Sequence, residues 1–188
     1  MTWTLDPAHS AVTFSAKHMM VTTVRGSMAI REVELDFDPA RPESSSVRVT
    51  LDPASIATGQ SARDQHLRSA DFLEADAHPT LDYVSTRIEP RGDRYAIHGD
   101  LTIRGVTRPV VLDAEIGGIV RDLQSGGRRA AFSARTKINR EDFGLTWNVA
   151  LEQGGWLVSR EIGIDIELAV VDPVAVATEA REAVAAGA

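Results

Sequence analysis

Near its C-terminus the chain reads Glu161-Ile162-Gly163-Ile164-Asp165-Ile166-Glu167-Leu168-Ala169-Val170. Every second residue is aliphatic, and most of those between are charged or small. Successive side chains of a strand point to opposite faces, so this run predicts a strand with one buried and one wet face. Parallel sheets are usually covered on both sides, so a half-wet strand argues for antiparallel pairing.

The same alternation recurs along the chain. Val12, Phe14 and Ala16 oppose Thr13, Ser15 and Lys17, and Val47, Val49 and Leu51 oppose Arg48 and Thr50. It returns in Tyr95/Ile97/Leu101/Ile103, in Val110/Leu112/Ala114/Ile116 and in Phe132/Ala134/Thr136/Ile138. Between Met28/Ile30 and Val33/Leu35/Phe37 the apolar phase slips by one residue, which predicts a bulge near Arg31–Glu32. Turn signals separate the runs: Asp38-Pro39 with Pro42, Arg91-Gly92-Asp93, Arg104-Gly105-Val106-Thr107 and Ser125-Gly126-Gly127. About eight strands with short connections suggest a closed barrel or a sandwich. Their length favours an eight-stranded barrel, whose interior can hold one small ligand.

Composition agrees with a soluble fold. The 188 residues are 43% hydrophobic and 25% charged, ordinary for a folded domain. A chain near ~150 residues already hides roughly 70% of its unfolded surface, so the core needs no staples. Cysteine is absent, which excludes disulfides, thiolate catalysis and cysteine-ligated metals. The net charge of −7, with no cluster of Lys or Arg, argues against a nucleic-acid partner. No stretch approaches the ~18 apolar residues of a membrane span, so stable membrane insertion is not expected. The start, Met1-Thr2-Trp3-Thr4-Leu5-Asp6-Pro7, has neither a basic nor an apolar leader region, and a cytoplasmic chain is expected. A chain whose leader had been removed would read the same.

Two segments break the alternation. A short helix is expected in the 61–72 region, with Ser61 as its cap and Asp64 three residues on. The tail at 174–188 is rich in Ala and Glu without a strong apolar stripe, so residues 1–173 are expected to form the barrel domain.

No nucleophile elbow, phosphate loop or dinucleotide fingerprint is present. The five histidines, His9, His18, His66, His78 and His98, lack metal-ligand spacing, so neither a metal nor a cofactor is expected. The polar group that stands out is Arg63-Asp64-Gln65-His66-Leu67-Arg68. On a helix it is either an exposed face carrying an Asp64–Arg68 pair or a cationic cluster at a cavity mouth, with Arg63 and His66 holding an anionic headgroup. His18 shares the parity of Phe14 and Ala16 and should face inward near one end. Trp147 and Trp156 read as lip or core residues.

Several blocks together resemble one family. They are Trp3-Thr4-Leu5-Asp6-Pro7-Ala8-His9-Ser10, Phe14-Ser15-Ala16-Lys17-His18, Ser55-Ile56-Ala57-Thr58 and Arg63 to Phe72. Pro79, Ser85, the run from Gly99 to Thr107, and Ile138-Asn139-Arg140-Glu141-Asp142-Phe143-Gly144-Leu145 continue the match in order. The chain is similar to the YceI-like family from about Trp3 to Pro173. The resemblance implies a lipocalin-like, eight-stranded antiparallel barrel that binds a long polyisoprenoid chain in its interior. Met19-Met20 after His18 and the tail after Pro173 depart from the pattern.

The leading expectation is therefore a non-enzymatic binder of an isoprenoid or other amphipathic lipid. Strand parity places Phe14, Ala16, Met28, Ile30, Tyr83, Leu101, Ile103, Phe132, Ala134, Ile164 and Ile166 on the cavity wall. Leu67, Phe72 and Phe143 would close the ends. The alternative is a small barrel isomerase or cyclase using His18 or His66 as general acid/base. A third reading is a stress or assembly protein whose barrel is only a scaffold, which a cavity filled by side chains would support. Outward apolar residues such as Val111 and Ala131 offer a patch for a homodimer, which the sequence does not require.

Overall fold

A computed structural model describes residues 2–122, 126–152 and 154–172. Among these residues the strands are β1 (Thr2–Leu5), β2 (Ala11–His18), β3 (Thr22–Asp36), β4 (Ser46–Ala57), β5 (Leu81–Arg91), β6 (Arg94–Ile103), β7 (Val106–Arg121), β8 (Arg128–Asn139) and β9 (Val158–Val171). One α-helix, α1, covers Ser61–Arg68. The expected Ala-rich tail and Ser125 of the expected turn lie outside the described residues.

All pairings are antiparallel. The ladder runs β3-β2-β9-β8-β7-β6-β5-β4, and β4 pairs back to β3, so eight strands close into a barrel. β1 continues the place of β2 between β3 and β9, through Trp3↔Leu35 and Leu5↔Val170. A 3-10 turn over Pro7–His9 separates the two, and the Asp6 side chain caps it by accepting from the Ala8 N–H at 3.0 Å.

The period-two reading of β9 holds from Ile162 to Leu168, whereas Ala169, expected on the wet face, is buried where Asp6 and Ser10 bond to its carbonyl. Ile162, Ile164 and Ile166 stand opposite Ala16, Phe14 and Val12 on one side, and opposite Ile138, Thr136 and Ala134 on the other. The expected bulge in β3 is present as a register shift between Ile30 and Glu32, and a second shift lies between Ser27 and Ala29. These shifts let one 15-residue strand curve round the barrel while its apolar side stays inward. The β6–β7 turn is a two-residue hairpin in which Arg104 and Gly105 both take positive φ, 51° and 73°, matching the twist of the flanking strands.

The two ends are closed differently. At the β1 end Trp3, Leu35, Phe37, Ala130 and Val170 form a buried cluster. Trp3 is 1% exposed, and its indole N–H donates to the Phe37 carbonyl at 3.2 Å. The Phe37 and Phe132 rings meet edge to face at 4.9 Å. Burying side chains of this size contributes about 1.5–3 kcal/mol each, so this end is a plug. Leu67, Phe72 and Phe143, expected to close the ends, all gather in the other core cluster, at the α1 end.

Helix α1 differs from expectation in its start. Its N-cap is Gln60, no side chain caps it, and Ser61 is its first helical residue. Asp64 reaches backwards instead and accepts from the N–H and the hydroxyl of Thr58. Arg68 donates to the Ala54 carbonyl at 3.0 Å. The expected Asp64–Arg68 pair is replaced by these two attachments to the end of β4 and the loop after it. The physical reason is that a strand end offers fixed backbone partners, whereas an exposed i,i+4 pair is worth only a few tenths of a kcal/mol.

Candidate functional site

Two cavities occupy the barrel interior. The upper one, toward β1, holds about 1130 Å³ of empty space, its opening included, and the lower one, toward α1, about 890 Å³. Val12, Leu51, Leu81, Leu101 and Ile164 line both and form a shared belt between them. Ile162 and Leu168 lie toward the two ends of this wall on β9, about 20 Å apart along the strand at ~3.3 Å per residue.

Most of the expected wall residues are on the wall. Tyr83, Phe132, Ala134 and Ile166 line the upper cavity, Phe14, Ala16, Met28, Leu67, Phe72 and Ile103 the lower, and Leu101 and Ile164 both. Ile30 packs against the core without lining either cavity, and Phe143 is buried in the same core. His18, Arg63, His66 and Trp147 line neither cavity. His18 ends β2, where register against β9 shifts between Ala16 and His18. This irregularity ends the simple parity that pointed it inward.

The helix residues are engaged elsewhere. Arg63 donates through Nε to the Thr58 hydroxyl at 2.7 Å and through Nη2 to the Thr58 carbonyl at 3.0 Å. His66 Nε2 lies 2.9 Å from an Asp71 carboxylate oxygen. Its ring meets Phe72 at 5.1 Å and Trp147 at 4.6 Å, both edge to face. Phe72 and Trp147 stand 5.3 Å apart, so His66 and Trp147 back the Phe72 ring, which alone of the three lines the lower cavity. Trp156 is 42% exposed and lies outside that group.

Two aromatic rings of the cavity walls lie close over glycines of a neighbouring strand. A Cβ at Gly26 would come within 2.5 Å of Phe14 Cζ, and one at Gly99 within 2.4 Å of Tyr83 Cζ. The Tyr83 hydroxyl donates to the Ile97 carbonyl at 2.9 Å. Burial pushes its pKa above the ordinary tyrosine range, with Asp100 adding to the effect.

One polar residue of the lower wall was not expected. Arg140, at the start of a 3-10 turn after β8, is 3% exposed and lines the lower cavity. Burial is the main influence on its guanidinium and pulls its pKa down. The signal for it was in the sequence: Phe132, Ala134, Thr136 and Ile138 extend by two to Arg140. The shared belt was likewise readable, since Val12 has the parity of Phe14.

Among the described residues, no group of three or more His, Cys, Asp or Glu could hold a metal ion. None of the described helices is long and apolar enough to cross a membrane.

The architecture defines a closed antiparallel β-barrel with an apolar lumen. The chain belongs to the YceI-like family: the model of the YceI-like domain matches residues 3–170. A UPF0312 protein of Ectopseudomonas mendocina is 40% identical over 139 residues, 73% of this chain and 72% of that relative. The crystal structure of a YCEI protein of Campylobacter jejuni is 32% identical, with a TM-score of 0.69 over 83% of this chain and 89% of that one. A polyisoprenoid binding domain from Saccharophagus degradans shares the fold, with a TM-score of 0.64 over 91% of this chain and 98% of that one, at 13% identity.

Proposed function

We propose that the chain binds a long-chain isoprenoid or similar amphipathic lipid inside the barrel, as a carrier or storage protein and not as an enzyme. The observation that carries this reading is the pair of adjoining apolar cavities with a shared belt at Ile164 and Leu101. A prenyl chain gains ~25 cal/mol for each Å² of apolar surface removed from water, and a wall of Val, Ile, Leu and Phe supplies that burial with few polar contacts. The polyisoprenoid binding of a domain with the same fold is consistent with this reading.

The isomerase or cyclase alternative needs a titratable side chain within reach of the ligand. Neither His18 nor His66 lines a cavity, Glu115 of the upper cavity's lining is paired with Arg94 at 2.8 Å, and the Tyr83 hydroxyl is committed to Ile97, which favours the binder. The filled-scaffold reading is disfavoured by the presence of two apolar cavities that share a belt of lining residues.

The test is native mass spectrometry of protein purified from its own host, followed by organic extraction and lipid analysis. A co-purifying prenyl lipid at near-stoichiometric ratio is expected. A protein that carries no lipid and takes up neither geranylgeraniol nor a longer prenol when offered them overturns the reading.

A further inference from the structure

The lower cavity holds an arginine, Arg140, that forms no ion pair with a carboxylate among the described residues, although Glu141 beside it acts on its charge through space. Arg140 Nε donates to the Ser159 carbonyl at 3.0 Å, and Nη1 donates to the Leu145 carbonyl at 2.5 Å. Nη2 is buried and has no hydrogen-bond partner among the described residues. Every other residue lining this cavity is apolar. The neighbouring Glu141 is taken by Arg160, at 3.1 Å. The guanidinium carbon stands 5.9 Å from the centre of the Phe72 ring, which offsets part of the desolvation and neutralises no charge.

This arrangement is unlike the other arginines near this end. Arg63 spends its Nε and Nη2 on Thr58, and Arg104 lies against Glu74 at 2.9 Å. A buried cation that lacks a counter-charge is costly, and so is an unmet buried donor. Two backbone carbonyls hold Arg140 in place, one from β9 and one from the loop after Phe143. The third nitrogen is thereby held, pre-oriented and buried, behind a lumen surface that is wholly apolar.

Resting on the lipid-binding reading above, we infer that Arg140 is the headgroup site: through Nη2 it receives the anionic oxygen of a phosphate- or carboxylate-headed lipid. The head lies at the α1 end, beside Phe72, and the tail runs past the belt at Ile164 into the upper cavity. Approach to Nη2 requires the Phe72 ring to give way, and its packing on His66 and Trp147 is edge to face or tilted, with no polar tie. A planar fork suits this role because two of its donors serve as anchors while the third binds.

The test uses the full chain, stripped of co-purifying lipid, and three probes: geranylgeranyl phosphate, geranylgeraniol and inorganic phosphate. The wild type should bind the phosphate ester about tenfold or more tighter than the alcohol, as expected for one charge-assisted contact in a dry site. Arg140→Gln should erase that preference, so that the ester and the alcohol bind the variant with equal affinity. Should the variant fail to fold, the arginine side-chain NMR signals of the wild type give the answer, with Arg140 assigned by its absence in R140K. The Arg140 signal should move on adding geranylgeranyl phosphate and stay in place with geranylgeraniol.

Equal wild-type affinity for ester and alcohol overturns this inference and leaves the lipid reading intact. So does an Arg140 signal unmoved by saturating ester. Inorganic phosphate alone shifting that signal as far as the ester does would make the site one for free phosphate and overturn the headgroup assignment. Binding of neither prenyl probe overturns the lipid reading itself.

Discussion

The ring of Tyr83 lies over Gly99 on the adjacent strand, so closely that a methyl group there would stand 2.4 Å from Tyr83 Cζ and 2.5 Å from the Val84 carbonyl oxygen. Phe14 and Gly26 repeat the relationship across β2 and β3, where a methyl group would also stand 2.8 Å from the Ala57 carbonyl oxygen. In each case the missing side chain of a glycine leaves room for a large ring that lines a cavity.

Gly99→Ala should therefore push the ring inward and break the Tyr83–Ile97 hydrogen bond. Overpacking costs about 1–3 kcal/mol, and an unmet buried hydroxyl adds about 1–3 kcal/mol. Thermal unfolding of G99A should show a Tm several degrees below wild type, together with weaker prenol uptake. An unchanged Tm with unchanged uptake would mean that the ring is free to lie elsewhere.

Ile164 lines both cavities, so enlarging it should cut one from the other. Ile164→Trp should abolish binding of a long prenol and retain a short one such as geraniol, at a stability cost of about 1–3 kcal/mol. Phe132→Trp, confined to the upper cavity, should shorten the longest chain accepted. Calorimetric titration with prenols of graded length measures both effects, and length-independent binding in both variants counts against the proposed tail path.

Asp6 ties the first turn to β8. A hydrogen bond from Arg129 is the main cause of its low pKa, about 2 against an ordinary 3.8, and His9 contributes next. A carboxylate depressed in the folded state stabilises the fold fully above its unfolded pKa and loses that contribution as pH falls through the folded value. Asp6→Asn should thus lower the Tm near neutral pH, and the gap to wild type should close as pH falls from about 4 toward 2. A gap that is constant with pH would show that the ion pair contributes nothing.

Arg63 donates twice to Thr58, so Arg63→Ala should loosen the attachment of α1. Its affinities for geranylgeranyl phosphate and geranylgeraniol should fall together, in contrast to R140Q. A selective loss of the phosphate ester in R63A would place the headgroup at the helix instead.

Chelation should leave the protein unchanged, given that the described residues form no cluster able to hold a metal ion. Incubation with EDTA and removal of the chelator, followed by thermal unfolding and elemental analysis, checks this. A stoichiometric metal, or a Tm that falls on chelation, would favour a metal-assisted activity.

What the sequence alone determined is the local geometry that period two encodes. Ile162 to Val170 alternate because one face of β9 meets the lumen, and the phase slip after Ile30 marks the point where β3 bulges. Both are properties of a single strand, so neighbouring residues suffice to reveal them. Parity also placed Phe14, Tyr83, Phe132 and Ile166 on the wall, and continued through Ile138 it reaches Arg140.

Only the tertiary structure decided the rest, because it depends on partners distant in the chain. Closure rests on the pairing of β3 with β4. The start of α1 went to Gln60 because Asp64 found the Thr58 N–H and hydroxyl, and Arg63 left the cavity for the Thr58 carbonyl. Whether an arginine at a strand end is a solvated cation or a buried one is set by what folds over it. For Arg140 those covers are Ser159 and Leu145, whose carbonyls hold two of its nitrogens and leave the third without a partner among the described residues, behind an apolar wall.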